Sequence, residues 1–261
     1  MDGRKPTGNS FTVLGSASGM PNPRRAASGY LLQIGESLNL IDCGGGVSSS
    51  FLRCGFDPLK LDRIFISHTH SDHVAELTTF IQMLHGLQSK RRLSIFVPGE
   101  FVEPLEAYLR AVYLIRERLH PDLEIRGYSE GTVFDGEFKL VAVANSHISK
   151  LSAIAKELKL PNQLECYALR IEAGGKALLY SSDIGDLQDI SAQLHDLEYA
   201  LIETTHISVE AILELARGAS IDHFVLTHLG DDHEVARLQK AVEESGLKNL
   251  RLTFDGMRLA L

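Results

Sequence analysis

Residues 63–73 read RIFISHTHSDH, an apolar run followed by His68, His70, Asp72 and His73 within six positions. Imidazole nitrogens and carboxylate oxygens are the donors that borderline divalent metals such as zinc prefer. The spacing fits two ions better than one. His68 and His70 stand at i and i+2, so an extended exit loop points both to the same side. Asp72 and His73 follow after the chain has turned, so they can face a second ion beside the first. A metal pair about 3.5–4 Å apart can hold one hydroxide and clamp both oxygens of an in-line displacement.

Two ions need more donors than this run supplies. Three further residues follow apolar runs in the same manner: His147 after KLVAVANS, Asp183 after KALLYSS and His228 after IDHFVLT. Taken singly, a lone polar residue at a strand end reads more often as a hydrogen-bonded core residue. Taken with the HTHSDH run, the set of five histidines and two aspartates is coherent. An anionic carboxylate can serve two cations where a neutral imidazole cannot, and Asp183 is the better bridge because Asp72 sits beside His73. Asp72 can also orient the hydroxide.

The segment ALIETTHIS adds Glu203 and His206, three residues apart, after another apolar run. Arg24, Arg25 and Lys150 flank the motif loops and are candidates to meet phosphate. Gly44-Gly45-Gly46 has the composition of a phosphate cradle, and equally that of tight turns near a metal site. His85, His120 and His195 fall in or beside helices, and His223 opens the strand leading to His228. Asp231 and Asp232 beside His233 read as a helix N-cap and first-turn charges.

These residues must be carried by elements that the patterning makes legible. FTVLG, YLLQIGESLNLI, LDRIFISH, RLSIFVPG, DLEIRGYS, TVFDG and FKLVAVANSH read as strands. Residues 48–53 read as a brief helix, a helix follows Asp72 and His73, and a long helix covers 105–119. In the second half, 151–160 reads as helical and ECYALRIEAGGKALLYSSD as a hairpin about Gly174-Gly175. Helices are expected over 187–195, 208–217 and from Asp231 on, with YALIETT and HFVLTH as strands and LRLTFDGMRLAL as closing strands. Strands in runs with helices outside imply an α/β fold of two sheets between helix layers. The polar residues gather after strand C-terminal ends, where a site is expected.

The whole chain sets bounds. Its 261 residues, without repeat or low-complexity linker, read as one domain over 1–261. A 44% hydrophobic and 23% charged composition is that of an ordinary globular protein. No apolar run of about 18 residues is present, so no membrane association is expected. The polar start MDGRKPTGNS lacks an apolar signal-peptide core. Three scattered cysteines, Cys43, Cys54 and Cys166, give no disulfide framework, and the default location is cytoplasmic. A net charge of −8 argues against a broad nucleic-acid surface without forbidding a local basic patch.

With these residues in view, the chain resembles the metallo-β-lactamase fold, and within it ribonuclease Z and its phosphodiesterase relatives. GSASGMPNPRRAASGYLL is similar to that family's Gly-rich opening, IDCGGG to its second strand-loop, and HTHSDH to its metal motif. The resemblance implies a four-layer αββα sandwich and a dinuclear zinc hydrolase, with manganese or iron also compatible. It implies one zinc on His68, His70, His147 and Asp183, and another on Asp72, His73, Asp183 and His228, with a bridging hydroxide. Glu203 and His206 resemble the family's glutamate–histidine pair. That makes His206 a general acid or phosphate binder oriented by Glu203, although the family's longer segment between the two is missing here. Relatives of this group are often dimers, so a homodimer is an expectation.

The chain departs from tRNA-processing members in one respect. They usually carry a basic, Gly/Pro-rich arm, in many between the residues matching His147 and Asp183. Here the 36-residue step between those positions is filled by a helix and a hairpin. Only Lys90-Arg91-Arg92, within 85–120, is a candidate basic insertion. The expected substrate is therefore a phosphodiester, RNA or nucleotide, with a small or cyclic nucleotide gaining over tRNA. Two other readings stay open: a lactonase or thioesterase using the same metals on a carbonyl, and a non-catalytic sensor that retains the metals.

Overall fold

The computed structural model describes residues 8–261, so all but the last three residues of the polar start lie outside it. The first half runs β1 (Ser10–Gly15), β2 (Gly29–Ile34), β3 (Ser37–Ile41), α1 (Val47–Arg53), β4 (Leu61–Phe65), α2 (Ser71–Val74), α3 (Leu77–Gly86), β5 (Arg92–Pro98), α4 (Val102–Ala111) and β6 (Asp122–Tyr128). The second runs β7 (Gly131–Asp135), β8 (Lys139–Ala144), α5 (Ser152–Glu157), β9 (Tyr167–Ala173), β10 (Lys176–Tyr180), α6 (Gln188–Ser191), β11 (Tyr199–Glu203), α7 (Val209–Gly218), β12 (His223–Thr227), α8 (Asp232–Ser245), β13 (Leu250–Leu252) and β14 (Arg258–Ala260).

These strands form two seven-stranded sheets, ordered β14-β1-β2-β3-β4-β5-β6 and β13-β12-β11-β10-β9-β8-β7. The closing strands part company. β13 extends the second sheet, while β14 returns to pair antiparallel with β1, Ser10 opposite Ala260. Both faces of each sheet are buried, which explains the near-continuous apolar runs. In β2, Tyr30 and Leu32 point between the sheets and Leu31 points out to the helices; in β12, Val225 points in and Phe224 and Leu226 point out. α1, α3 and α4 cover the first sheet through Phe51, Phe80, Ile81, Leu105 and Leu109. α7 and α8 cover the second through Ile212, Ala216, Leu238 and Val242. The result is the expected αββα sandwich. Among the described residues no helix is long and apolar enough to cross a membrane.

The β9–β10 hairpin turns where expected, with Gly174 and Gly175 both at positive φ. Four helices are shorter than expected: α5 covers only Ser152–Glu157 of 151–160, with Lys159 at positive φ, and the other three stop for local reasons. The helix expected over 105–119 stops at Ala111, because Tyr113 turns left-handed and sends Leu114 and Leu119 back onto the core. In 187–195 only Gln188–Ser191 is helical; the carbonyls of Gln193 and His195 are taken by the guanidinium of Arg170. The helix after Asp72 is broken between Val74 and Leu77. There Glu76 turns its carboxylate onto the backbone N–H groups of Gly46 and Ser48.

Candidate metal centre

The parallel strands β4, β10, β11 and β12, and β8, which is antiparallel to β9 and so runs the same way as β10, deliver their C-terminal ends to one edge, the usual crevice of such sheets. β4 leads into His68, β8 into His147, β10 into Asp183, β11 into Glu203 and β12 into His228. Loop geometry there is tight. Asp42, Ser182 and His228 all hold positive φ, which non-glycine residues seldom adopt. Gly44 passes so close to the metal loop that a Cβ would lie 1.9 Å from the carbonyl oxygen of Asp72.

All seven sequence-expected ligands converge, as two groups sharing Asp183. In one group His70 Nδ1 and His147 Nε2 are 3.2 Å apart, and Asp183 Oδ2 lies 3.7 Å from His147 Nε2 and 3.9 Å from His68 Nε2. In the other, Asp183 Oδ1 lies 3.2 Å from His73 Nε2 and 3.4 Å from His228 Nε2. Asp72 Oδ2 closes that group at 3.6 Å from His73 Nε2 and 3.1 Å from His228 Nε2. A tetrahedral shell with bonds of about 2.0–2.1 Å places its donors roughly 3.3–3.4 Å apart. Both groups match that spacing, one carboxylate oxygen of Asp183 serving each.

Three of the inward atoms have no hydrogen bond. His68 Nε2, His73 Nε2 and Asp183 Oδ1 are buried without hydrogen-bond partners, a costly condition that cations would relieve. The opposite ring nitrogens are held instead. His68 Nδ1 lies 3.2 Å from Ser67 Oγ, His73 Nδ1 lies 2.8 Å from Asp42 Oδ2, and His228 Nδ1 lies 2.8 Å from Thr205 Oγ1. Such outer contacts fix ring orientation and tautomer.

Protonation follows from this packing. Burial pushes His68 well below the ordinary histidine range and His147 down to about 4, so both rings are neutral. Burial opposes ionisation of Asp183, but His73 and His228 outweigh it and hold the carboxyl well below its usual range. Asp72 is likewise lowered, burial being overcome by its 3.1 Å contact with His228 Nε2 and by the charge of His73. Burial disfavours charge on His73, yet Asp183 and Asp42 raise it well above normal. Ionised carboxylates and neutral imidazoles are the states a cation requires, and a cation at the second group would take the place of the His73 proton.

Glu203 and His206 flank the shared carboxylate. Glu203 is fully buried and receives His206 Nδ1 at 3.0 Å, the His206 N–H at 2.9 Å and the Thr205 N–H at 2.7 Å. His206 Nδ1 is 4.0 Å from Asp183 Oδ2, and its side chain stays 28% exposed. It can therefore face both the centre and an incoming molecule. The Glu203 hydrogen bond raises the His206 pKa, outweighing partial burial.

The remaining candidates separate. A cleft of about 740 Å³ opens beside Asp72, bounded by Ser18–Arg25 and the start of α1. Arg24 and Arg25 both pair with Asp232, and Arg25 also donates to the Gly230 carbonyl at 2.6 Å, so they tie that loop to α8. The Gly44–Gly46 turn does cradle an anion, but the anion is the Glu76 carboxylate of the chain itself. Arg91 and Arg92 pair with Asp62 and Asp122 at the start of β5, the end of the sheet away from the centre. Lys150 differs. It lies one turn after His147 in the 3₁₀ helix His147–Leu151, where i and i+3 share a side, and its charge lowers the pKa of both His147 and His206. Asp231 caps α8 with a full capping box, as expected. Sequence reasoning missed Asp42 and Thr205. Asp42 follows the apolar run SLNLI, the same signal that identified the ligands.

A two-sheet αββα sandwich with a His/Asp centre at its strand ends is the metallo-β-lactamase architecture, and the relatives of this chain are ribonuclease Z-like, metal-dependent hydrolases. The chain belongs to the family described as Anti-Pycsar protein Apyc1, whose model matches residues 9–246. It is 28% identical over 240 residues to the ribonuclease Z of Mycobacterium sp. (strain KMS), covering 83% of this chain and 82% of that protein. Its fold is similar to the metallo-β-lactamase fold protein YhfI from Bacillus subtilis, with a TM-score of 0.76, 22% identity, and coverage of 96% of this chain and 98% of that one. It is also similar to a diphosphatase from the PhnP family, with a TM-score of 0.69, 19% identity, and coverage of 97% and 98%.

Proposed function

We propose that residues 1–261 form one dinuclear phosphodiesterase domain acting on small nucleotide phosphodiesters, cyclic nucleotides among them. The observation that carries this reading is the buried carboxylate of Glu203 holding the partly exposed His206, whose Nδ1 lies 4.0 Å from the Asp183 carboxylate shared by the two ligand groups. A binding module has no use for a histidine held by a buried carboxylate beside that position. His68, His70, His147 and Asp183 would hold one cation; Asp72, His73, Asp183 and His228 would hold the other. Zinc suits the donor set, and manganese or iron would also be accepted. Bound there, the pair would supply hydroxide at neutral pH and a counter-charge for the attacked group.

The chain's own residues do the rest. Asp72 Oδ2 faces the cleft beside Gly19 and orients the attacking oxygen by accepting its hydrogen. Lys150 meets a non-bridging phosphate oxygen at the rim. His206, kept protonated by Glu203, gives the proton on Nε2 to the leaving alkoxide, since Nδ1 is committed to Glu203. The Glu203 carboxylate holds the His206 ring through Nδ1 and offsets the imidazolium charge.

The cleft volume is that of a site for a drug-sized ligand. The relatives named ribonuclease Z favour RNA as the second reading. Against it stand the net charge of −8 and the ion-paired arginines at the far end of β5. Three free cysteines fit a reducing cytoplasm. A homodimer belongs to the same reading, with exposed Tyr108, Val112, Tyr113 and Ile115 offering apolar surface for it.

A substrate panel tests the function: bis-p-nitrophenyl phosphate, 2′,3′- and 3′,5′-cyclic nucleotides, a pre-tRNA and an acyl lactone. Turnover of the diester and a cyclic nucleotide is expected. Turnover of the lactone alone would sink the phosphodiesterase reading, and cleavage of pre-tRNA alone would replace it with the RNA reading.

A further inference from the structure

Two consecutive threonines, Thr204 and Thr205, separate Glu203 from His206, and both grip His228. Thr204 Oγ1 donates to the His228 carbonyl at 3.2 Å, bracing a residue whose φ of 54° is otherwise unfavourable. Thr205 Oγ1 stands 2.8 Å from His228 Nδ1 and 3.2 Å from Glu203 Oε2.

The direction of these bonds is fixed by the chemistry at their ends. His228 Nε2 points at Asp72 and Asp183, and with a cation bound there its lone pair would be engaged, leaving the ring proton on Nδ1. That N–H donates to Thr205 Oγ1. The hydroxyl then has one proton to give. His206 Nδ1, 3.3 Å away, already donates to Glu203 Oε1 and cannot accept. The hydroxyl proton therefore goes to Glu203 Oε2. One buried carboxylate thus terminates two chains, directly from His206 and through Thr205 from His228.

We infer that Thr205 is a positioning residue that relays Glu203 to His228, so that a single carboxylate orients both the candidate acid and one metal ligand. This rests on the reading of His228 as a ligand. It gives Glu203 a second task beyond orienting His206, and it is specific to one side of the centre. The outer contacts of His68 run to Ser67 and Ser182 instead, and His147 Nδ1 is buried without a partner.

Zinc titration of the metal-free full chain against a competing chromophoric chelator tests this, with wild type, Thr205→Val and Thr205→Ser compared. Wild type is expected to bind two equivalents. Thr205→Val, equal in shape but without the hydroxyl, is expected to weaken one equivalent by about 10–100-fold and leave the other unchanged. Thr205→Ser is expected to restore it. Melting of the metal-free variants checks that each is folded. Unchanged affinity for both equivalents in Thr205→Val overturns the relay. Equal weakening in Thr205→Ser also overturns it, because packing of the methyl group would then be the cause. A His228→Ala variant that binds every equivalent as tightly as wild type removes His228 as a ligand, and the relay with it.

Discussion

Asp42 accepts a 2.8 Å hydrogen bond from Nδ1 of His73, and both side chains are wholly buried. The same carboxylate accepts the Ser67 N–H at 2.7 Å, the Ser67 hydroxyl at 2.8 Å and the Tyr180 hydroxyl at 2.9 Å. Four donors therefore converge on one anion behind the second ligand group. This turns His73 so that Nε2 faces Asp72 and Asp183.

Replacing Asp42 by asparagine keeps the shape but brings an NH₂ group against these donors. The Asp42→Asn variant should lose about 10–100-fold in affinity for the cation on the His73 side. It should also melt at a lower temperature, because a buried donor is left unpaired. Chelator competition and a thermal melt read the two effects separately. Unchanged affinity would show that Asp42 is structural only.

The His206 pKa is raised by Glu203, so activity should fall as pH rises through that raised value and the proton on Nε2 is lost. Glu203→Gln removes the cause, and the alkaline limb of kcat should move to lower pH. The same sign holds for stability. The pair's contribution is full below the ordinary histidine value of about 6.5 and is lost as pH rises through the raised one. A pH–rate profile of the two proteins checks this; an unmoved limb would remove His206 as the titrating group.

His206→Ala should lose about 10²–10⁴-fold in kcat on substrates with poor leaving groups and much less on p-nitrophenyl esters. Rates across a leaving-group series check it. Equal losses throughout would mean that His206 binds phosphate without giving up a proton.

The candidate centre was legible from two signals: the dense spacing of His68, His70, Asp72 and His73, of which Asp72 and His73 lie in α2, and the strand-end positions of His147, Asp183 and His228 after apolar runs. The two sheets were legible for a related reason, since strands buried on both faces leave long apolar runs. The outer residues were harder to see. Thr205 acts through a hydroxyl that looks like any strand-end threonine, and only the approach of β11 to β12 brings it to His228. Composition left the Gly44–Gly46 turn open between a phosphate cradle and a tight turn, because the anion it holds is Glu76, 30 residues further along the chain from Gly46. Helix ends at 111 and 191 were set by distant partners, the core around Leu114 and the guanidinium of Arg170.

Lys150 is the cation at the rim that acts on both His147 and His206, whereas Arg24 and Arg25 are spent on Asp232. Lys150→Ala should raise KM about tenfold with little change in kcat, the loss of one charge-assisted contact. Arg24→Ala should leave KM nearly unchanged. Steady-state kinetics on a cyclic nucleotide checks the pair, and the opposite ranking would move the phosphate to the Arg24 side of the cleft.

Asp183 turns Oδ2 to His68 and His147 and Oδ1 to His73 and His228, so its loss should weaken both ligand groups at once. Elemental analysis of the purified wild-type chain and of Asp183→Ala, both dialysed against the same metal, tests it most directly. Wild type should carry two equivalents and the variant should lose more than one of them. Retention of both equivalents in Asp183→Ala would contradict the shared-carboxylate centre.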